Sequence, residues 1–244
     1  MSRPPRFILA APPSADGVAT LSGGEMRHLR DVMRLRAGAE LTVLAPDGVE
    51  YVAQVAGFEG NKAMLLISSK RPRKALPPLI LAAAIIKGPR MDFLVEKAAE
   101  LGATELWPVM CARGVVRSPG GERIARWRRL VEAATKQSLV PAKMEIRNPL
   151  SFADLVKTAP RDTLRVLCTP GGEPLGALAR RAKPRSIMLV VGPEGDFERT
   201  ELETAREEGF VAARLGPTRL RSETAALAAL AIVGEALDEF GEGD

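Results

Sequence analysis

Ile187-Met188-Leu189-Val190-Val191 is an unbroken apolar run that passes directly into Gly192-Pro193-Glu194-Gly195. A short aliphatic run ending in a turn sequence predicts a strand buried on both faces, as in a parallel sheet covered by helices. The flanking sequence repeats the pattern. Leu79 to Ile86, Leu106 to Met110, Leu164 to Cys168 and Val211 to Leu215 are strand-like, and Met91 to Leu101, Arg123 to Leu139, Thr200 to Glu208 and Ser222 to Leu237 are helical. Their alternation predicts an α/β domain. Such sheets bind ligands at the carboxyl ends of strands, where glycines let main-chain groups approach closely. Gly192 to Gly195 lies at such an end, although Pro-Glu-Gly also makes a good β-turn, with Pro fixing φ and Gly free to take positive φ. Thr200 to Glu203 has the spacing of a capping box for the next helix.

A second strand end delivers Gly216-Pro217-Thr218-Arg219-Leu220-Arg221-Ser222-Glu223-Thr224-Ala225 into the last helix. Two loops from separate strands can converge on one site. Ser222 is a natural N-cap, and Glu223 suits the positive end of the helix dipole. Neither argument covers Arg221. A cation beside a helix N-terminus is disfavoured unless something anionic lies nearby, so Arg221 reads as a binding or catalytic residue.

The first seventy residues are mainly β in pattern, with runs at Phe7 to Ala10, Leu41 to Ala45, Glu50 to Phe58 and Ala63 to Ser68 and turns at Asp47-Gly48 and Glu59-Gly60-Asn61. Ser22 is placed to cap a short helix carrying Met26, Leu29, Val32 and Met33 on one face and arginines on the other. Lys70 to Pro78 holds three prolines and four basic residues, which predict neither strand nor helix. The domain boundary is placed there, dividing the chain into residues 1–73 and 74–244.

With 244 residues, 46% hydrophobic and 27% charged, the composition is that of a soluble globular protein with a cytoplasmic default, and no run approaches the roughly 20 apolar residues of a membrane span. The net charge of +5 is concentrated in clusters: Arg27 to Arg36, Lys70 to Lys74 and Arg113 to Arg129. Together they favour a polyanionic partner. Cys111 and Cys168 have no metal-ligand spacing and are expected to be reduced and structural. His28 is the only histidine, which removes Ser-His-Asp triads and His-based metal sites. No Walker A or Rossmann glycine pattern is present.

Val191-Gly192-Pro193-Glu194-Gly195-Asp196-Phe197, followed by Leu215-Gly216, Leu220-Arg221 and Glu223-Thr224-Ala225, resembles the carboxyl-terminal signature of the RsmE family of small-subunit ribosomal RNA (uracil-N3)-methyltransferases, of the SPOUT class. Lys87-Gly88, Glu96 to Gly102, Arg126-Trp127 and Glu132-Ala133-Ala134 are similar to further family segments, and His28 to Arg34 is similar to its amino-terminal RNA-binding segment. The sequence departs from the pattern at Lys136-Gln137-Ser138-Leu139-Val140-Pro141, where many members carry an arginine shortly after Gln-Ser or Gln-Cys.

The resemblance implies a PUA-like β-barrel domain over residues 1–73 and a SPOUT α/β domain over 74–244, with a parallel sheet and a deep trefoil knot. It implies a homodimer that takes S-adenosyl-L-methionine as methyl donor, without a metal, and acts on 16S ribosomal RNA or the assembled small subunit. Gly192, Pro193, Glu194, Gly195, Leu215, Gly216, Leu220, Thr224 and Ala225 are then expected at the donor, and Arg27, His28, Arg30 and Arg34 at RNA. Arg221 is expected to stabilise charge on the uracil carbonyls, with Glu223, Glu194 or water as the base. The rival readings are another SPOUT enzyme acting on a tRNA base or ribose, and a noncatalytic RNA-binding protein of ribosome assembly.

Overall fold

Leu79–Ala84 (β6) and Ile187–Val191 (β11) are buried at every position and pair in parallel, Leu79 beside Ile187 and Ala83 beside Val191. A strand with no polar face needs cover on both sides, and this pair forms the centre of a three-layer unit. The structure is a computed structural model that describes residues 4–46, 49–72, 77–116, 119–138 and 144–238. Its chain divides into two compact units, Met1–Ala75 and Leu76–Asp244.

In the second unit β6 and β11 are joined by β7 (Glu105–Met110), β8 (Glu145–Ile146), β9 (Leu150–Ser151), β10 (Leu164–Pro174) and β12 (Val211–Arg214). The order is β12-β10-β11-β6-β7-β8, with β9 also on β7, and every pairing is parallel. One face is covered by α2 (Pro89–Glu100), α3 (Gly121–Ser138), α5 (Leu175–Ala182) and α7 (Ser222–Asp238), and the other by α4 (Phe152–Thr158) and α6 (Arg199–Glu207). Ala226, Ala229, Leu230, Val233 and Ala236 of α7 are fully buried in the first of these layers, so its own core accounts for much of this helix's apolar character. Trp127 of α3 is also fully buried; its indole N–H and the Arg126 guanidinium both donate to Asp92 of α2, at 3.1 and 2.9 Å. Arg126 thus has a structural partner.

The first unit is a curled five-stranded sheet, a half-barrel, built from β1 (Arg6–Ile8), β2 (Val18–Ser22), β3 (Glu40–Leu44), β4 (Val49–Glu59) and β5 (Lys62–Pro72) in the order β1-β3-β4-β5-β2. Gly60, at φ +55, turns β4 into β5. The Asp47-Gly48 turn lies outside the described residues, as do residues 73–76 of the expected linker. Lys70, Arg71 and Pro72 are strand, contrary to expectation, pairing with Tyr51, Glu50 and Val49. Beyond Leu66, β5 pairs with β4 alone among the described strands, and a proline is tolerated on such an edge.

Between β2 and β3, α1 (Gly23–Arg27) continues into a wide π turn over His28–Val32, in which Met33 N donates to His28 O. Met26 and Leu29 are buried as expected, but Val32 and Met33 are 66% and 43% exposed. The wider turn advances each residue by less than an α-helical step, which rotates these two off the apolar face. Ser22 precedes the helix without accepting a side-chain cap bond.

Candidate active site

The ends of two strands and the irregular middle of a third meet at one cavity of about 510 Å³, within the roughly 300–1,000 Å³ range of small-molecule sites. Val191 to Glu194 line it from β11, Arg214 to Leu220 from β12, and Cys168, Thr169 and Pro170 from β10; Ser222 and Ala225 of α7 close it. Of the expected donor residues, Gly192, Pro193, Glu194, Leu215, Gly216, Leu220 and Ala225 line the cavity, whereas Gly195 and Thr224 do not. The β10 wall was not anticipated, although Pro170-Gly171-Gly172 after an apolar run carries the strand-end signal of the other two. It is held in place tightly. Gly172 has φ +93, and a Cβ there would stand 2.1 Å from the Ala212 carbonyl oxygen of β12.

The glycines play unlike parts. A Cβ on Gly216 would meet nothing within 4 Å, so that backbone borders open cavity. On Gly192 it would press the Phe197 ring at 3.2 Å, and the Gly192 carbonyl accepts a buried 2.7 Å hydrogen bond from Ser222 Oγ. Gly192 therefore serves loop packing. In the turn Asp196 N donates to Pro193 O, and the left-handed residue is Asp196, at φ +62, not Gly195. Asp196 is among the few residue types that tolerate this conformation. Arg113 braces the turn, its Nη1 donating to Gly195 O at 2.8 Å.

Both helix starts depart from expectation. Ser222 is the first residue inside α7 and turns its hydroxyl to Gly192, while the preceding Arg221 carbonyl accepts from Ala225 N. Helix α6 is capped at Glu198, two residues earlier than Thr200, with Glu201 Oε2 accepting from Glu198 N at 2.8 Å. The remaining Glu201 oxygen is taken by Ala112 N, so this carboxylate ties the β7 loop to the helix start.

Beside the cavity lies a charged group that includes one unexpected member. Arg90, in the first turn of α2, places Nη2 2.6 Å from Glu194 Oε1 and Nη1 3.5 Å from Glu223 Oε2. The Glu223 side chain is 10% exposed. Its Oε2 is buried and accepts no hydrogen bond among the described residues. Partial burial resists ionisation of Glu194, yet its own backbone amide, Arg90 and the charge of Arg221 together hold its carboxyl below the ordinary value. Arg221 thus has the anionic neighbour that its place before a helix demands. The same signal was present at Arg90, a cation opening a helix behind Gly88-Pro89, and it could have marked this residue too. Cys168 is a neutral part of the wall, because burial pushes its thiol up to about 12.

The profile described as RNA methyltransferase domain matches residues 73–234, and that described as RNA methyltransferase PUA domain matches residues 21–65. Ribosomal RNA small subunit methyltransferase E of Mycobacterium bovis is 33% identical, over 93% of this chain and 90% of its own. The chain belongs to this methyltransferase E family. The Synechocystis member is 30% identical over 96% of this chain and 78% of its own. A crystal structure of the Neisseria gonorrhoeae member bound to S-adenosyl methionine superposes with a TM-score of 0.71 at 30% identity, covering 94% of this chain and 96% of that one.

The expected RNA residues lie in the first unit. Arg27, His28, Arg30 and Arg34 are all exposed; His28 stacks edge-on against Phe7 at 5.8 Å, and Arg34 is left-handed at φ +54. Arg30 pairs with the carboxylate of Asp31 at 2.7 Å, whereas Arg27 and Arg34 form no ion pair among the described residues. Arg117 and residues 139–143 of the divergent family segment lie outside the described residues. No helix among the described residues is long and apolar enough to cross a membrane.

Proposed function

We propose that this chain transfers the methyl group of S-adenosyl-L-methionine to N3 of a uridine in 16S ribosomal RNA, in the cytoplasm during small-subunit biogenesis. The reading rests on one observation above the others. A glycine-bordered cavity at the ends of parallel strands is flanked by a charged group in which Arg90 bridges Glu194 and the buried carboxylate of Glu223, with Arg221 beside Glu194.

The donor fits the cavity by size and by lining, since Gly216 leaves its main chain open and Leu215, Leu220 and Ala225 offer apolar surface. When bound, it supplies a methyl group on a sulfonium, whose carbon–sulphur bond breaks with the electron pair retained on sulphur, so the transfer requires no metal. The chain's residues act on the uracil, which must be unstacked to enter. Glu223 accepts the N3 proton and frees the nitrogen pair to attack. Arg221 stabilises the charge that spreads to the flanking carbonyl oxygens, and Glu194 orders Arg90 and Arg221. Arg27, His28 and Arg34 hold phosphate, with Arg30 contributing where Asp31 releases it. The deep trefoil knot, the homodimer and the division into an RNA-binding domain over 1–73 and a methyltransferase domain over 74–244 belong to the same reading, supported by the family resemblance.

The test is transfer of labelled methyl from S-adenosylmethionine to unmodified small subunits, free ribosomal RNA and tRNA, with nucleoside analysis. Labelled 3-methyluridine from the ribosomal substrate supports the proposal. Label in another nucleoside overturns the reaction assignment, and absence of both label and donor binding overturns the enzyme.

A further inference from the structure

The Arg90 guanidinium lies on none of the three cavity-lining segments, yet it touches both carboxylates at the site. It stands 2.6 Å from Glu194, on the loop after β11, and 3.5 Å from Glu223, in the first turn of α7. We propose that Arg90 is a positioning residue that bridges these two carboxylates and so holds the loop after β11 and the start of α7 in the arrangement that methyl transfer needs. This deepens the methyl-transfer reading and rests on it.

The charges facing the pair are Arg90 from α2 and Arg221 from the loop before α7, with Arg113 close by on the Gly195 carbonyl. Among the described residues, Arg90 alone forms an ion pair with both acids. Its planar fork can serve two acceptors at once, which a single ammonium reproduces less well. The contact to Glu194 is short, at 2.6 Å, and that to Glu223 Oε2 is longer, at 3.5 Å. The helix start is built for this placement. Gly88, at φ +61, and Pro89 at the first helical position launch α2 so that Arg90 falls in its first turn. A cation there opposes the helix dipole unless anions offset it, and the two glutamates do so.

The experiment compares Arg90→Met and Arg90→Lys with the wild-type chain in three measurements: methyl transfer to small subunits, donor affinity by calorimetry, and carboxyl carbon titration of Glu194 by NMR. In Arg90→Met Glu194 should titrate at higher pH, because Arg90 helps hold its carboxyl down. At neutral pH kcat should fall roughly tenfold or more. KM for the RNA and the donor affinity should change little, and Arg90→Lys should restore part of the loss. A folded Arg90→Met with the wild-type Glu194 titration and the wild-type kcat overturns the proposal; if that variant does not fold, a wild-type titration in Arg90→Lys combined with a loss of kcat does so. The NMR titration does not depend on catalysis, so a wild-type chain that methylates nothing defeats the functional reading while the Arg90 clamp is still decided.

Discussion

Ser222 Oγ donates a 2.7 Å hydrogen bond to the carbonyl oxygen of Gly192, joining the start of the last helix to the end of the central strand. Both residues are buried, so each partner depends on the other for satisfaction. Replacing Ser222 by Ala leaves that carbonyl without its donor, at a cost of roughly 1–3 kcal/mol. In denaturant unfolding the midpoint should fall at an unchanged m-value. A wild-type midpoint would show that the bond contributes nothing.

Gly216 and Gly192 separate binding from folding. A leucine at Gly216 enters open cavity, since its Cβ has no neighbour within 4 Å; calorimetry should show donor binding abolished while the melting temperature stays near wild type. The same change at Gly192 meets the Phe197 ring at 3.2 Å and should lower stability as well. Retained donor affinity in Gly216→Leu removes Gly216 from the site.

Stability should carry a pH signature from Glu194. Partial burial opposes its ionisation, but its backbone amide, Arg90 and Arg221 outweigh that and hold the folded carboxyl below the reference value of 4.5. A depressed folded pKa stabilises the protein above the unfolded value, and the contribution is lost as pH falls through the folded one. Glu194→Gln should therefore melt below wild type at neutral pH, and the gap should close as pH drops below 4.5. A gap that stays constant with pH would mean the carboxylate gains nothing from its neighbours.

RNA binding should depend unequally on the arginines of the first unit. Arg30 is engaged with Asp31 at 2.7 Å, whereas Arg27 and Arg34 are exposed without an ion pair among the described residues. Changing Arg27 or Arg34 to Gln should lower the slope of log affinity against log salt by roughly 0.7–0.9 for each phosphate no longer neutralised, and Arg30→Gln should lower it less. Equal slopes in all three variants and the wild type would place RNA on another face.

Local patterns in the sequence were enough for the buried strands of the parallel sheet and the glycine loops that follow two of them, because the period and length of apolar runs report directly on burial. Short elements escaped: β2, β8, β9, α4 and α5 run for only two to eight residues, too few for a period to rise above composition. The outward turn of Val32 and Met33 escaped as well, since a π turn breaks the spacing from which a helix face is inferred. Arg221 could be singled out because its conflict with the helix dipole is local. What resolves that conflict is not local. The partnership of Arg90 with Glu194 and Glu223, and of Ser222 with Gly192, arises because the sheet order brings the ends of β11 and β12 together beside the irregular middle of β10 and packs α2 and α7 against the same face. Only the tertiary structure decides which of the distant polar groups then meet.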